Sequence, residues 1–288
     1  MIAVLLGVFA ALCWSFTDLL ARMMAGRIGA FRMAALAMVA GAVLLGLYVL
    51  PGGRIWSASG EQLMSGLLLG VAYGFGIGGL FKAFSLGPIS LVGPLTAGYP
   101  VLSVMWGVFN GLEPTLLQWG CVASTLIGAL IIARSGTPDG GINAVEPGKM
   151  PTMLFFAGMS VLGYASAVVL GQNAAGQVGA IEAAWLSRAT ALLTILPFIL
   201  SEAKPAPLTP RLWLGIAAMG VLDVVGLVAV NASAHFPGKE FAGIGISAYG
   251  AGSVILAMIF LKERVSVGQW VGLALIVGAV ATLSVSQA

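Results

Sequence analysis

Two charged residues lie deep inside apolar stretches of this sequence. Asp223 sits in Gly220-Val221-Leu222-Asp223-Val224-Val225, and Arg188 ends Trp185-Leu186-Ser187-Arg188. A charge held away from water is costly, so a charge in such a place is a functional candidate by default. The two can meet. If the flanking runs form consecutive antiparallel helices, Arg188 lies about 12 Å from one face and Asp223 about 13 to 14 Å from the same face, at 1.5 Å per residue. One reading is a structural ion pair between neighbouring helices. The other is a substrate or proton site, with Arg188 facing a carboxylate and Asp223 facing an ammonium group or titrating. The residues alone leave both open.

Further candidates surround them. Asp18 and Arg22 are four apart, on one helical face, close enough to pair or to form a gate contact. Rings recur within the apolar runs at Trp14, Tyr73, Tyr99, Tyr164, Trp185 and Tyr249. Amphipathic rings of this kind could line a cavity for an apolar guest and supply single hydrogen bonds, or simply pack helices. Asn231 and Gln172 could hold a zwitterion or a neighbouring backbone group. Pro94 and Pro100 fall within one apolar run, where proline removes a backbone donor and bends a helix, so both are hinge candidates. Gly66, Gly70, Gly74 and Gly78 form a smooth stripe at four-residue spacing, a packing surface for another helix.

Other chemistry is not encoded. The sequence has no G-x-x-x-x-G-K-[ST] phosphate loop, no H-E-x-x-H, no serine-nucleophile motif and one histidine, His235. No enzyme, metal site or cofactor is expected. Cys13 and Cys121 both fall in apolar runs and read as small packing residues.

The elements that must position these residues follow from composition. Of the 288 residues 59% are apolar and 8% charged, against about 25% charged in a soluble domain. Such a chain cannot cover its surface with polar groups, so it belongs in a lipid bilayer. The net charge of +3 is small and scattered, which excludes a nucleic-acid partner. About 20 residues cross the hydrocarbon core as a helix. Ten runs satisfy this: 2–24, 30–50, 62–84, 88–110, 115–134, 151–172, 179–200, 210–232, 240–261 and 266–285. The first lacks a basic leader and runs into Asp18 and Arg22, so it reads as a retained span rather than a signal peptide. The expected fold is therefore an all-α membrane protein of ten transmembrane helices. A polar connection at 135–150 divides it into segments 1–134 and 151–288, five runs each.

The two segments match weakly at an offset of 150 residues: Trp14 with Tyr164, Ala25-Gly26 with Ala175-Gly176, Tyr99 with Tyr249 and Glu113 with Glu263. Gln118-Trp119 and Gln269-Trp270 match after a slip of one. An odd number of spans per repeat reverses the second repeat in the membrane, the inverted-repeat plan of many alternating-access transporters. Ten basic residues fall on odd-numbered connections and two, Arg54 and Lys239, on even ones. The positive-inside rule then places both termini on the non-cytoplasmic side of an inner membrane.

The end of each half resembles the EamA domain of the drug/metabolite transporter superfamily. The residues that carry the resemblance are Lys82-Ala83-Phe84, Gly87-Pro88, Pro94, Tyr99-Pro100, Gly111-Leu112-Glu113, Gln118 and Gly128 in the first half. In the second they are Tyr249-Gly250, Leu261-Lys262-Glu263-Arg264, Gln269 and Gly278. Gly250 stands where that family usually has proline. The resemblance implies two tandem five-helix repeats, a central cavity open to one side at a time, and transport of metabolites, often export of amino acids. Among relatives it points to bacterial exporters of aromatic and other hydrophobic amino acids. It also admits other metabolites or drugs as cargo, with a channel a weaker alternative. The expected partners are a small-molecule substrate and the bilayer, with a monomer as the expected state and proton coupling through Asp223 left open.

Overall fold

The computed structural model describes residues 2–96, 99–135, 145–146, 148–200, 202, 207–246 and 248–286. Most of the expected connecting segment, 136–144 and 147, lies outside the described residues, as does Lys204. Twelve α-helices are described: α1 (Ile2–Ile28), α2 (Ala30–Gly52), α3 (Gly60–Leu86), α4 (Ile89–Thr96), α5 (Pro100–Phe109), α6 (Leu116–Arg134), α7 (Met150–Val178), α8 (Ala180–Leu200), α9 (Pro210–Ala232), α10 (Ala242–Ile246), α11 (Ala248–Leu256) and α12 (Val267–Ser286). A π-helical turn, Ala257–Leu261, prolongs α11 and ends at Lys262 in the left-handed region, with φ 55°.

Among the described residues six stretches are long and apolar enough to cross a bilayer, on α1, α2, α3, α7, α8 and α9. The other four expected runs carry apolar helices whose described stretches are shorter. Run 88–110 carries α4 and α5, of 8 and 10 residues. Pro100 stands in the first turn of α5, where its missing N–H costs nothing. Run 240–261 carries α10 and α11. The surface is apolar over its length: Phe9, Leu47, Phe109, Leu116, Leu162 and Leu214 are each at least 48% exposed. In water such a surface would aggregate, and against lipid it is at home.

Several helix starts are closed by side chains. Ser59 with Gln62 opens α3, and Thr115 with Gln118 opens α6, each through reciprocal bonds to the other's backbone N–H. Ser266 and Gln269 repeat the arrangement at α12. Gln118 and Gln269, matched in sequence, are thus helix caps. Gly29 and Gly179 occupy one conformation, φ 94° and 103°, immediately before α2 and α8. Only glycine adopts that backbone without strain.

The halves interleave. The start of α2 meets the end of α8, where the Glu202 carboxylate accepts from the Phe31 and Arg32 backbone N–H at 2.9 and 3.1 Å. The end of α2 meets the start of α8, where Glu182 accepts from Arg54 N–H at 3.1 Å. The two helices therefore run antiparallel. So do α6 and α12: Gly128 lies against Ile276, and Ile132 against Gly272. Helix α3 packs on α7 and α8, and α1 on α9, α10 and α11. The glycine stripe of α3 rests on α8, Gly66 against Leu186, Gly74 against Ala191 and Thr194, and Gly78 against Ile195. Each glycine admits a neighbouring helix closer than any side chain would.

Candidate functional site

Helix α1 presents Trp14 and Asp18 on one face, four residues apart, with Thr17 beside them. That face meets α3, α7, α9 and α11, and the rings and carboxylates they turn inward enclose a cavity. It is lined by Trp14, Thr17, Asp18, Ile77, Leu80, Phe81, Tyr99, Tyr164, Asp223 and Tyr249. Its volume is small, about 20 Å³. This conformation is closed around a narrow interior.

Tyr164 is the hub of the aromatic wall. Its ring stacks on Trp14 with centroids 6.4 Å apart, tilts against Tyr99 at 5.5 Å and meets Tyr73 edge-on at 5.7 Å. Gly76 makes room for it: a β-carbon there would lie 2.8 Å from the Tyr164 ring. Across the cavity, the Tyr249 hydroxyl and the Thr96 hydroxyl share a hydrogen bond, which ties α11 to α4.

Arg188 and Asp223 do meet. Arg188 Nη2 lies 2.7 Å from Asp223 Oδ2, with the two side chains 0% and 2% exposed. The other carboxylate oxygen accepts from the Tyr73 hydroxyl. The Arg188 guanidinium also lies 4.9 Å from the Tyr73 ring centroid, and its Nη1 reaches Ser187 Oγ at 3.3 Å. Its Nε has no hydrogen-bond partner. Asp223 therefore reaches the cavity with both oxygens engaged, while Arg188 and Tyr73 stand behind it.

Asp18 is arranged differently. It is 1% exposed, and its Oδ2 accepts from Ser253 Oγ at 2.7 Å. The expected pair with Arg22 does not form. Arg22 Nη1 instead donates to the Phe84 carbonyl at 2.8 Å, one of the carbonyls freed at the end of α3. Helical spacing permitted the pair; the neighbouring helices offered each partner something else. Among the described residues no basic group forms an ion pair with Asp18.

Of the sequence candidates, Trp14, Asp18, Tyr99, Tyr164, Asp223 and Tyr249 border one cavity. Trp185 does not: its Nε1 donates to the Ala42 carbonyl at 3.2 Å, holding α8 to α2. Pro94 lies in α4, and Pro100 follows Tyr99 at the start of α5. Asn231 donates to the Ala180 carbonyl at 3.4 Å, and Gln172 to Ser233 Oγ and the Lys239 carbonyl at 3.1 and 2.9 Å, so both hold neighbouring segments. Sequence reading passed over Thr17, Thr96 and Ser253. Ser253 was within reach, since it lies one turn beyond Tyr249 on the same face. Among the described residues no group of three or more His, Cys, Asp or Glu side chains could hold a metal ion.

A family model described as "EamA-like transporter family" matches residues 1–134 and 151–285. A crystal structure of another protein superposes with a TM-score of 0.75 at 22% identity, covering 99% of this chain and 96% of that one, which is a likeness of fold. No curated protein matches the chain.

Proposed function

Because the chain belongs to the EamA-like transporter family, and is therefore a multi-pass membrane transporter of the drug/metabolite type, we propose that it exports small metabolites, foremost amino acids with aromatic or other hydrophobic side chains, by alternating access. The observation that carries this reading is the cavity itself. It lies between the two halves of the chain. Trp14, Asp18 and Tyr99 come from the first half, Tyr164, Asp223 and Tyr249 from the second.

The framework for such a cycle is ten spans in two inverted repeats, 1–134 and 151–288. Several observations support it. The family model matches the two halves separately. The equivalent helices α2 and α8 run antiparallel, as do α6 and α12, which an inverted pair requires. Contacts also come in exchanged pairs: α1 with α9 answers α7 with α3, and α2 with α9 answers α8 with α3. Runs 88–110 and 240–261 fall at matching places and bring Tyr99 and Tyr249 to the cavity. The protein works as a monomer in the inner membrane, with odd-numbered connections in the cytoplasm. If a proton gradient drives export, Asp18 is the coupling group in place of Asp223, whose two oxygens are already occupied.

Proteoliposomes loaded with labelled phenylalanine, tryptophan, leucine or glutamate, with and without a pH gradient, test the reading. The expected result is saturable efflux of the first three, inhibited by one another, with glutamate retained. Retention of every amino acid would overturn it.

A further inference from the structure

The two acidic side chains of the cavity are partnered differently. Arg188 neutralises Asp223, through a contact of 2.7 Å that leaves the guanidinium fully buried. Asp18 has no such partner among the described residues; Ser253 Oγ at 2.7 Å is its hydrogen-bond donor. The basic side chain one turn along α1, Arg22, is taken by the Phe84 carbonyl. The cavity thus holds one carboxyl group without a basic partner, in a setting where an unpaired charge is expensive. Among the described residues it presents no free cation to an anionic guest: Arg188 does not line it, and the Arg188 nitrogen without a partner, Nε, lies against Gly41 on α2.

We infer that the cavity recognises its guest through a single positive charge, an ammonium group seated on Asp18, and requires no carboxylate. The class of substrate is a monoamine with an aromatic or branched apolar body. This rests on the transport reading above and narrows it: a hydrophobic amino acid is accepted for its amine, and the corresponding amide, ester or decarboxylated amine is accepted at least as well. The walls fit that chemistry. Trp14, Tyr99 and Tyr164 border the same space as Asp18, and indole and phenol rings attract cations. Ser253 fixes one Asp18 oxygen, so the carboxylate is oriented before the guest arrives.

Binding to the purified full-length protein in detergent, measured by equilibrium dialysis, separates this from alternatives. The probes are phenylethylamine and phenylalanine amide, each cationic only, phenylalanine, a zwitterion, and N-acetylphenylalanine, anionic only. The amine and the amide are expected to bind at least as tightly as phenylalanine, and the N-acetyl compound about tenfold or more weaker. Asp18→Asn should lose about tenfold or more for the amine, with Asp18→Glu recovering part of it. Melting temperature and gel filtration of both variants confirm that they fold. The inference fails if the anionic probe binds as tightly as the amine, if a folded Asp18→Asn binds the amine as the wild type does, or if no probe binds. The transport reading fails separately. Amines that bind but never cross a proteoliposome would sink that reading alone, and efflux of a solute without an amine, with no amine binding, would sink this one alone.

Discussion

Asp223→Ala will be the most damaging single substitution near the cavity. It leaves the Arg188 guanidinium 0% exposed with only Ser187 Oγ, at 3.3 Å, as a side-chain partner. Breaking one side of a buried ion pair costs about 3–5 kcal/mol, because the remaining charge stays buried. The Tyr73 hydroxyl also loses its acceptor, a further cost of about 1–3 kcal/mol. The variant should melt far below the wild type in detergent and give a low yield of monodisperse protein. Arg188→Met combined with Asp223→Leu removes both charges and keeps the volume, and it should recover most of the lost stability. The double variant should also keep amine binding, since the cation seat is Asp18. A single variant as stable as the wild type would show that the pair contributes little to the fold. A stable double variant that has lost binding would move the site from Asp18 to the pair.

Gly163→Leu should come close behind. Gly163 on α7 faces Gly76 on α3 with no side chain between them: a β-carbon there would lie 2.7 Å from Gly76 Cα and 2.8 Å from the Ala72 carbonyl oxygen. Both obstacles are backbone, so neither can turn aside. Overpacking an interior costs about 1–3 kcal/mol even where side chains can adjust, and here the helices must separate. Tyr164 follows directly in sequence and forms the centre of the aromatic wall. The substitution should therefore lower the melting temperature and weaken binding together. Gly158→Leu on the same helix, where a β-carbon meets nothing within 4 Å, should leave both unchanged. Equal effects at the two positions would mean that close α3–α7 contact is not what holds the wall in place.

Some of this was legible in the sequence because it depends on helix geometry alone. The shared depth of Arg188 and Asp223 follows from counting residues along two helices, and the pair forms. The α3 glycine stripe follows from four-residue spacing, and it meets another helix over its whole length. What depends on the partner helix was not legible. Asp18 and Arg22 had the spacing of a pair, but Ser253 and the Phe84 carbonyl, 235 and 62 residues away, claimed them separately. Trp185 resembled the cavity rings, and only the position of α2 shows that it serves the Ala42 carbonyl. Gly29 and Gly179 share the 150-residue offset and one unusual backbone conformation, yet neither stands out among the 41 glycines of the chain.

Alternating exposure of the cavity is tested most directly at Thr17, which lines it and is 4% exposed in the closed conformation. Thr17→Cys, in a background with Cys13 and Cys121 replaced by alanine, would be treated with a membrane-impermeant cationic thiol reagent. The reagent would be applied to right-side-out and to inverted vesicles. The expected result is labelling from both sides, slowed in each case by phenylethylamine. Labelling from one side only, or from neither, would contradict a cavity that opens to each face of the membrane in turn.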